Sequence, residues 1–151
     1  MIHVALWEPE IPPNTGNVAR LCAATGTALH LIGRLGFRTD DRTLRRAGLD
    51  YWPLVDVRRH VTFADFEAAL GGARLLCFSA RAVRPYTAVH YQDGDCLLFG
   101  GETYGLPPEI LTRLADSTFT IPMPVGKVRS LNLATAVGIV LYEALRQLRR
   151  W

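Results

Sequence analysis

Asn17 and Arg20 stand three residues apart in NTGNVAR (14–20), a spacing that turns a carboxamide and a guanidinium to one side of a helix. A guanidinium stays protonated and presents a rigid fork suited to phosphate. Farther along, LLFGGETYGLP (97–107) closes an apolar run at Gly100 and follows it with Gly101, Glu102 and Gly105, a loop able to wrap closely round a ligand. A third stretch, IPMPVGKVRSLN (121–132), gathers Lys127, Arg129, Ser130 and Asn132 where an apolar helix begins. Helix starts favour anions, and neighbouring cations strengthen that preference. Each stretch alone also describes ordinary structure: a capped helix with a solvated arginine, a glycine turn, a helix start.

The letters exclude several chemistries. No two of these loops supply a Ser-His-Asp or Cys-His set, and no paired carboxylates stand at a readable spacing. Neither GxGxxG nor GxxxxGK[ST] occurs, so a Rossmann oxidoreductase or a P-loop enzyme lacks its fingerprint. His3, His30, His60 and His90 are scattered without metal-ligand spacing, and no metal site is expected. Cys22, Cys77 and Cys96 lie among apolar residues and read as buried free thiols of a reducing compartment. What remains is the positioning of a reactive cofactor: a nucleotide-like ligand and a phosphate-bearing partner.

The elements that must hold these loops alternate. IHVALW (2–7) and ALHLIG (28–33) read as strands, with PLVDV (53–57) as a third; ARLLCFSA (73–80), DCLLFG (95–100) and TFTIPM (118–123) follow. Between the first two, Pro12 and Pro13 are expected to keep the chain extended, with Asn14 capping a helix that stops at Gly26. Gly16 then falls in the first turn, open to close approach. TDDRTLRRAGL (39–49) reads as a short exposed helix with Arg42, Arg45 and Arg46 on a basic face. TFADFEAALGG (62–72) carries a capping-box-like start at Thr62, and PPEILTRLA (107–115) is a short helix. In the last helix Leu133, Val137, Val140, Leu141, Ala144 and Leu148 form a buried stripe. Ile139 and Tyr142 widen its apolar surface enough for a second contact, such as another subunit. This is an α/β pattern with a mostly parallel sheet.

The chain has 151 residues, 49% of them hydrophobic and 21% charged, which suits one domain, and no linker divides it. A net charge of +3 permits an anionic partner, and Lys127 is the single lysine among 17 basic residues. No signal peptide or membrane span is expected, which points to the cytoplasm.

Taken together, EPEIPPNTGNVARLC, RRAGLDYW, YQDGD, FGGETYGLP and IPMPVGKVRSLNLATAVGIVLYEALRQ resemble the SPOUT class of RNA methyltransferases, and within it the small tRNA (cytidine/uridine-34 2′-O)-methyltransferases. The resemblance covers essentially all of 1–151, and the three loops coincide with the family's three motifs in order. It implies a single SPOUT domain with a C-terminal deep trefoil knot, S-adenosyl-L-methionine as cofactor, a homodimer, and the tRNA anticodon loop as partner. Carried over by position, Phe78, Gly100, Glu102, Gly105, Ile121, Met123, Ser130 and Leu131 would surround the cofactor. Asn14, Asn17, Arg20, Ser130 and Asn132 would form the catalytic neighbourhood. Arg20, Lys127, Arg129 and the Arg42/Arg45/Arg46 face are the candidates for RNA contact. The same reaction at another RNA site, or a noncatalytic RNA- or nucleotide-binding module, would be written in similar letters. Joint retention of Arg20, Ser130 and Asn132 favours the enzyme.

Overall fold

Short apolar runs separated by helices fold into one six-stranded sheet. The computed structural model describes residues 1–48 and 50–151, so the Leu49 end of the expected 39–49 helix lies outside the described residues. The strands are β1 (His3–Trp7), β2 (Ala28–Ile32), β3 (Val57–His60), β4 (Leu75–Phe78), β5 (Cys96–Gly100) and β6 (Thr118–Phe119). They are all parallel, in the order β3-β2-β1-β5-β4-β6. The chain winds outward from β1 through β2 to β3, then crosses to the other half, so β1 and β5 flank the point where winding reverses. In open α/β sheets that reversal opens a crevice at the carboxyl ends of the strands.

Helices α1 (Pro12–Thr25), α2 (Arg42–Ala47), α3 (Phe63–Leu70), α4 (Pro108–Arg113) and α5 (Leu133–Arg149) complete the fold. The larger core joins α1 and α5 to the sheet through Val18, Cys22, Val137, Val140, Leu141 and Leu145, packed with Val4, Leu6, Leu29, Leu31 and Leu97. Phe66 of α3 and Ile110 of α4 close the opposite face over Ala5, Ile32, Cys77 and Leu98. Each large apolar side chain so buried stabilises the fold by about 2 kcal/mol.

Several expectations need correction. α1 begins at Pro12, with its prolines in the first helical positions and Ile11 as the cap. Proline is at home there because its missing N–H would have had no partner in the helix and its φ is already helical. Asn14 is therefore inside the helix and free for another task. Gly16 is indeed approached closely, by a neighbouring helix: a Cβ there would overlap the carbonyl oxygen of Leu44 and crowd Ala47 of α2. PLVDV makes a 3-10 turn (Trp52–Leu54), and β3 starts only at Val57. β6 is two residues long, extended by a bridge between Thr120 and Pro85. On α5, Leu145 is buried where Leu148 is only partly so. Arg45 leaves the basic face of α2: its Nε donates to the Thr39 carbonyl at 3.0 Å and its guanidinium lies over the Trp52 ring, 5.2 Å from the centroid.

The sheet also gathers three histidines that no sequence spacing linked. Nδ1 of His3 lies 2.9 Å from Nε2 of His30, and Nδ1 of His30 lies 2.9 Å from Nε2 of His60. The middle ring is fully buried against Phe66. Burial, aided by the two neighbouring histidines and Arg58, pushes the pKa of His30 down to about 4, and the His3 and His60 pKa values also fall. No described helix is long and apolar enough to cross a membrane.

Candidate active site

β5 ends at Gly100, where a side chain has no room: a Cβ would overlap the main chain of Gly105 and Leu106. The loop therefore folds back on itself, with the Gly105 N–H donating to the Gly101 carbonyl at 3.0 Å. Between them, Glu102 turns toward the start of α1. Its carboxylate accepts from the main-chain N–H of Glu10 (2.8 Å) and of Ile11 (2.9 Å), and from Nδ2 of Asn14 (3.1 Å). Glu10 answers by accepting from the N–H and hydroxyl of Thr103, at 2.9 and 2.8 Å. The first and second loops are thus locked reciprocally. A carboxylate at a helix start also suits the helix dipole.

The third loop joins through Asn132. Its Oδ1 accepts from the Thr135 N–H at 3.1 Å, capping α5, and its Nδ2 donates to Oδ1 of Asn14 at 3.0 Å. The buried Asn14 amide thus links the carboxylate of the second loop to the helix cap of the third.

These loops enclose a cavity of about 530 Å³ at the carboxyl ends of β4, β5 and β6. All eight expected cofactor positions line it: Phe78, Gly100, Glu102, Gly105, Ile121, Met123, Ser130 and Leu131. So do Asn14, Arg129 and Asn132. Phe78 and Phe99 stack with centroids 5.1 Å apart and give the cavity an apolar wall. Ser79, Ala80 and Arg81, directly after β4, line it too and were missed; the strand-end rule finds them once β4 is known to lie beside β5. Asn17 and Arg20 are exposed on α1 and outside this lining; exposed Lys127, Arg42 and Arg46 and half-buried Arg45 also lie outside it.

The described lining contains no histidine or cysteine. The three thiols lie buried elsewhere; burial raises the Cys22 pKa to about 12, that of Cys77 to about 11, and pushes that of Cys96 up as well, leaving no thiolate at neutral pH. A pocket of this size, apolar on one side and rimmed by glycine backbone, is built to hold and orient a ligand of cofactor size.

A model of the SpoU rRNA Methylase family matches residues 1–142. The chain belongs to that family. Among relatives, this SpoU methylase is 51% identical over 149 residues to the tRNA (cytidine(34)-2′-O)-methyltransferase of Escherichia coli K12, covering 98% of this chain and 94% of that protein. A solved structure concerned with 2-OH methylation of C/U34 on tRNA is 55% identical and superposes with a TM-score of 0.95, covering 100% of this chain and 98% of that one. An AdoMet-bound rRNA methyltransferase from Sinorhizobium meliloti is 30% identical with a TM-score of 0.87; the match covers 97% of this SpoU methylase but 56% of that longer chain. The expected SPOUT-type α/β methyltransferase fold is therefore met.

Proposed function

We propose that this SpoU methylase transfers a methyl group from S-adenosylmethionine to the ribose 2′-hydroxyl of nucleotide 34 in tRNA. The observation that carries the reading is near full-length identity of 51% to a tRNA (cytidine(34)-2′-O)-methyltransferase. The cavity fits the cofactor: its volume of about 530 Å³, its stacked phenyl wall and its glycine-rimmed mouth suit an adenosine joined to a polar tail. Phe78, Gly100, Gly105, Ile121, Met123 and Leu131 hold it, with Glu102 bracing the loop behind them. When bound, the cofactor supplies an electrophilic methyl group on sulfur.

The protein's share is alignment and help with the hydroxyl proton. Ser130 and Asn132 orient the ribose. Arg20 cannot act as a base, because its guanidinium stays protonated. It grips the adjacent phosphate and stabilises oxyanion character as the proton leaves to phosphate or water. Asn17 and Arg20 lie outside the cavity lining of their own chain. In this reading they serve the cavity of a second copy, in a homodimer that uses the remaining apolar surface of α5 around Ile139 and Tyr142. Lys127, Arg129, Arg42 and Arg46 meet the tRNA backbone. The whole of 1–151 acts as one SPOUT domain in the cytoplasm, with its C-terminal segment threaded as a trefoil knot.

The test is methyl incorporation into total tRNA followed by mapping of the modified nucleotide. Methylation at position 34 is expected; methylation at another position, or of ribosomal RNA alone, overturns the assignment. In the same assay Arg20→Lys is expected to be nearly inactive, and full activity would refute the forked phosphate grip. Calorimetry with S-adenosylhomocysteine and with NAD separates the methyltransferase from an oxidoreductase.

A further inference from the structure

A second cavity, of about 450 Å³, opens at the carboxyl ends of β1, β2 and β3 and plays no part in the site above. Trp7 and Phe63 form its aromatic wall, edge to face with centroids 6.0 Å apart. Arg34 and Arg59 stand exposed at its rim. Arg38, Arg58, Arg74, Arg113 and Arg146 each pair with a carboxylate, whereas neither rim arginine does so among the described residues. The only carboxylate in the described lining, Glu8, accepts the main-chain N–H of Arg34 at 2.9 Å, so it holds the backbone of Arg34 rather than its guanidinium. Arg59 makes one long contact, 3.4 Å to the Gly33 carbonyl.

The position of this cavity matters as much as its lining. Trp7 is in register with Ile32 on one side and with Gly100 on the other. The exits of β2 and β5 are therefore two strand spacings apart, about 10 Å. The loop after β1 runs from one cavity to the other, with Glu8 lining the second and Ile11 the first, and Gly101 packs directly on the Glu8 carbonyl, where a Cβ would come within 2.5 Å. Both cavities open on the carboxyl edge of the same sheet.

The geometry points to a subsite for the RNA strand beside the methylated nucleotide, with an unpaired base against Trp7 and Phe63 and its phosphate between Arg34 and Arg59. Aromatic faces stacked on bases, with guanidiniums on the backbone, are how single strands are held without sequence preference. The subsite rests on the reading of this chain as a tRNA methyltransferase and extends its substrate contact to the far half of the sheet.

The test is steady-state methylation of tRNA by the full chain carrying Arg34→Ala and Arg59→Ala together, beside Arg58→Ala as a charge control. Arg58 lies beside Arg59 on β3 and its loss removes one charge, half that of the double variant, yet it is held by Asp56 at 2.6 Å. In the double variant kcat/KM for tRNA is expected to fall about tenfold. Its dependence on salt should flatten by about 0.7 of a unit of log–log slope, as expected for one lost phosphate on a single strand. S-adenosylhomocysteine affinity, read by calorimetry, should stay at the wild-type value. Wild-type kcat/KM and salt slope in the double variant overturn the subsite while leaving the methyltransferase assignment intact. An equal fall in Arg58→Ala overturns it too, by showing a general charge effect. If the wild-type chain methylates no tRNA, the assignment itself fails and the subsite with it.

Discussion

Asn132 reaches Asn14 across 3.0 Å with its amide while its carbonyl oxygen caps α5, so one side chain fixes both a helix start and the meeting of two loops. The two duties can be separated. In Asn132→Ala both are lost, and a stability decrease of about 1–2 kcal/mol is expected in urea unfolding. Asn132→Asp keeps the cap acceptor but sets a second carboxylate against the amide that already serves Glu102. It should unfold near the wild-type midpoint yet bind S-adenosylhomocysteine at least several-fold more weakly. Equal affinity in the Asp variant would show that the bridge does not shape the cavity.

Glu102 offers two oxygens to three N–H donors. Glutamine offers one oxygen, so Glu102→Gln strands at least one donor at the start of α1. The expected cost is about 1–3 kcal/mol, with weaker S-adenosylhomocysteine binding. Thermal denaturation and calorimetry read both.

Gly100→Ala places a methyl group on the main chain of Gly105 and Leu106, where no rotamer can relieve it. Either the second loop moves or the end of β5 does. The variant should lose S-adenosylhomocysteine binding by a hundredfold or more, with a lowered Tm. Binding within a few-fold of wild type would contradict the tight fold-back of the loop.

Stability should fall in mild acid. The folded-state pKa of His30, about 4, lies below the unfolded value near 6.5. The unfolded chain therefore takes up the proton first. The resulting stabilisation is complete above about pH 6.5 and is lost as pH drops toward 4. At pH 5 the loss from His30 alone should be about 2 kcal/mol. Urea unfolding at pH 7 and pH 5 measures it, and His30→Leu should flatten most of the slope.

The loops were legible because each follows an apolar run and carries residues a plain turn does not need. Gly100, Glu102, Ser130 and Asn132 stood out that way, and the resemblance across 1–151 joined them into one site. Less legible was anything set by a distant partner. Ser79, Ala80 and Arg81 carry no glycine signal and become visible only once β4 is known to end beside β5. Pro12 and Pro13 permit either an extended segment or a helix start, and the anchoring of the adjoining Glu10 and Ile11 N–H groups by Glu102, about 90 residues away, goes with the helix. The histidine row needed the register of three strands, which no local spacing encodes.

That row has a direction. Each neutral imidazole owns a single N–H, and two ring-to-ring contacts must be filled by one hydrogen apiece. His30 can give its hydrogen to His60 and receive one from His3, or do the reverse, so fixing one tautomer fixes its neighbours. If His3 and His60 both became imidazolium, each would aim a hydrogen at the middle ring, which could accept both only by giving up its own. One contact would then have to open. Protons at the two outer strands of this half-sheet therefore compete, although neither ring touches the other.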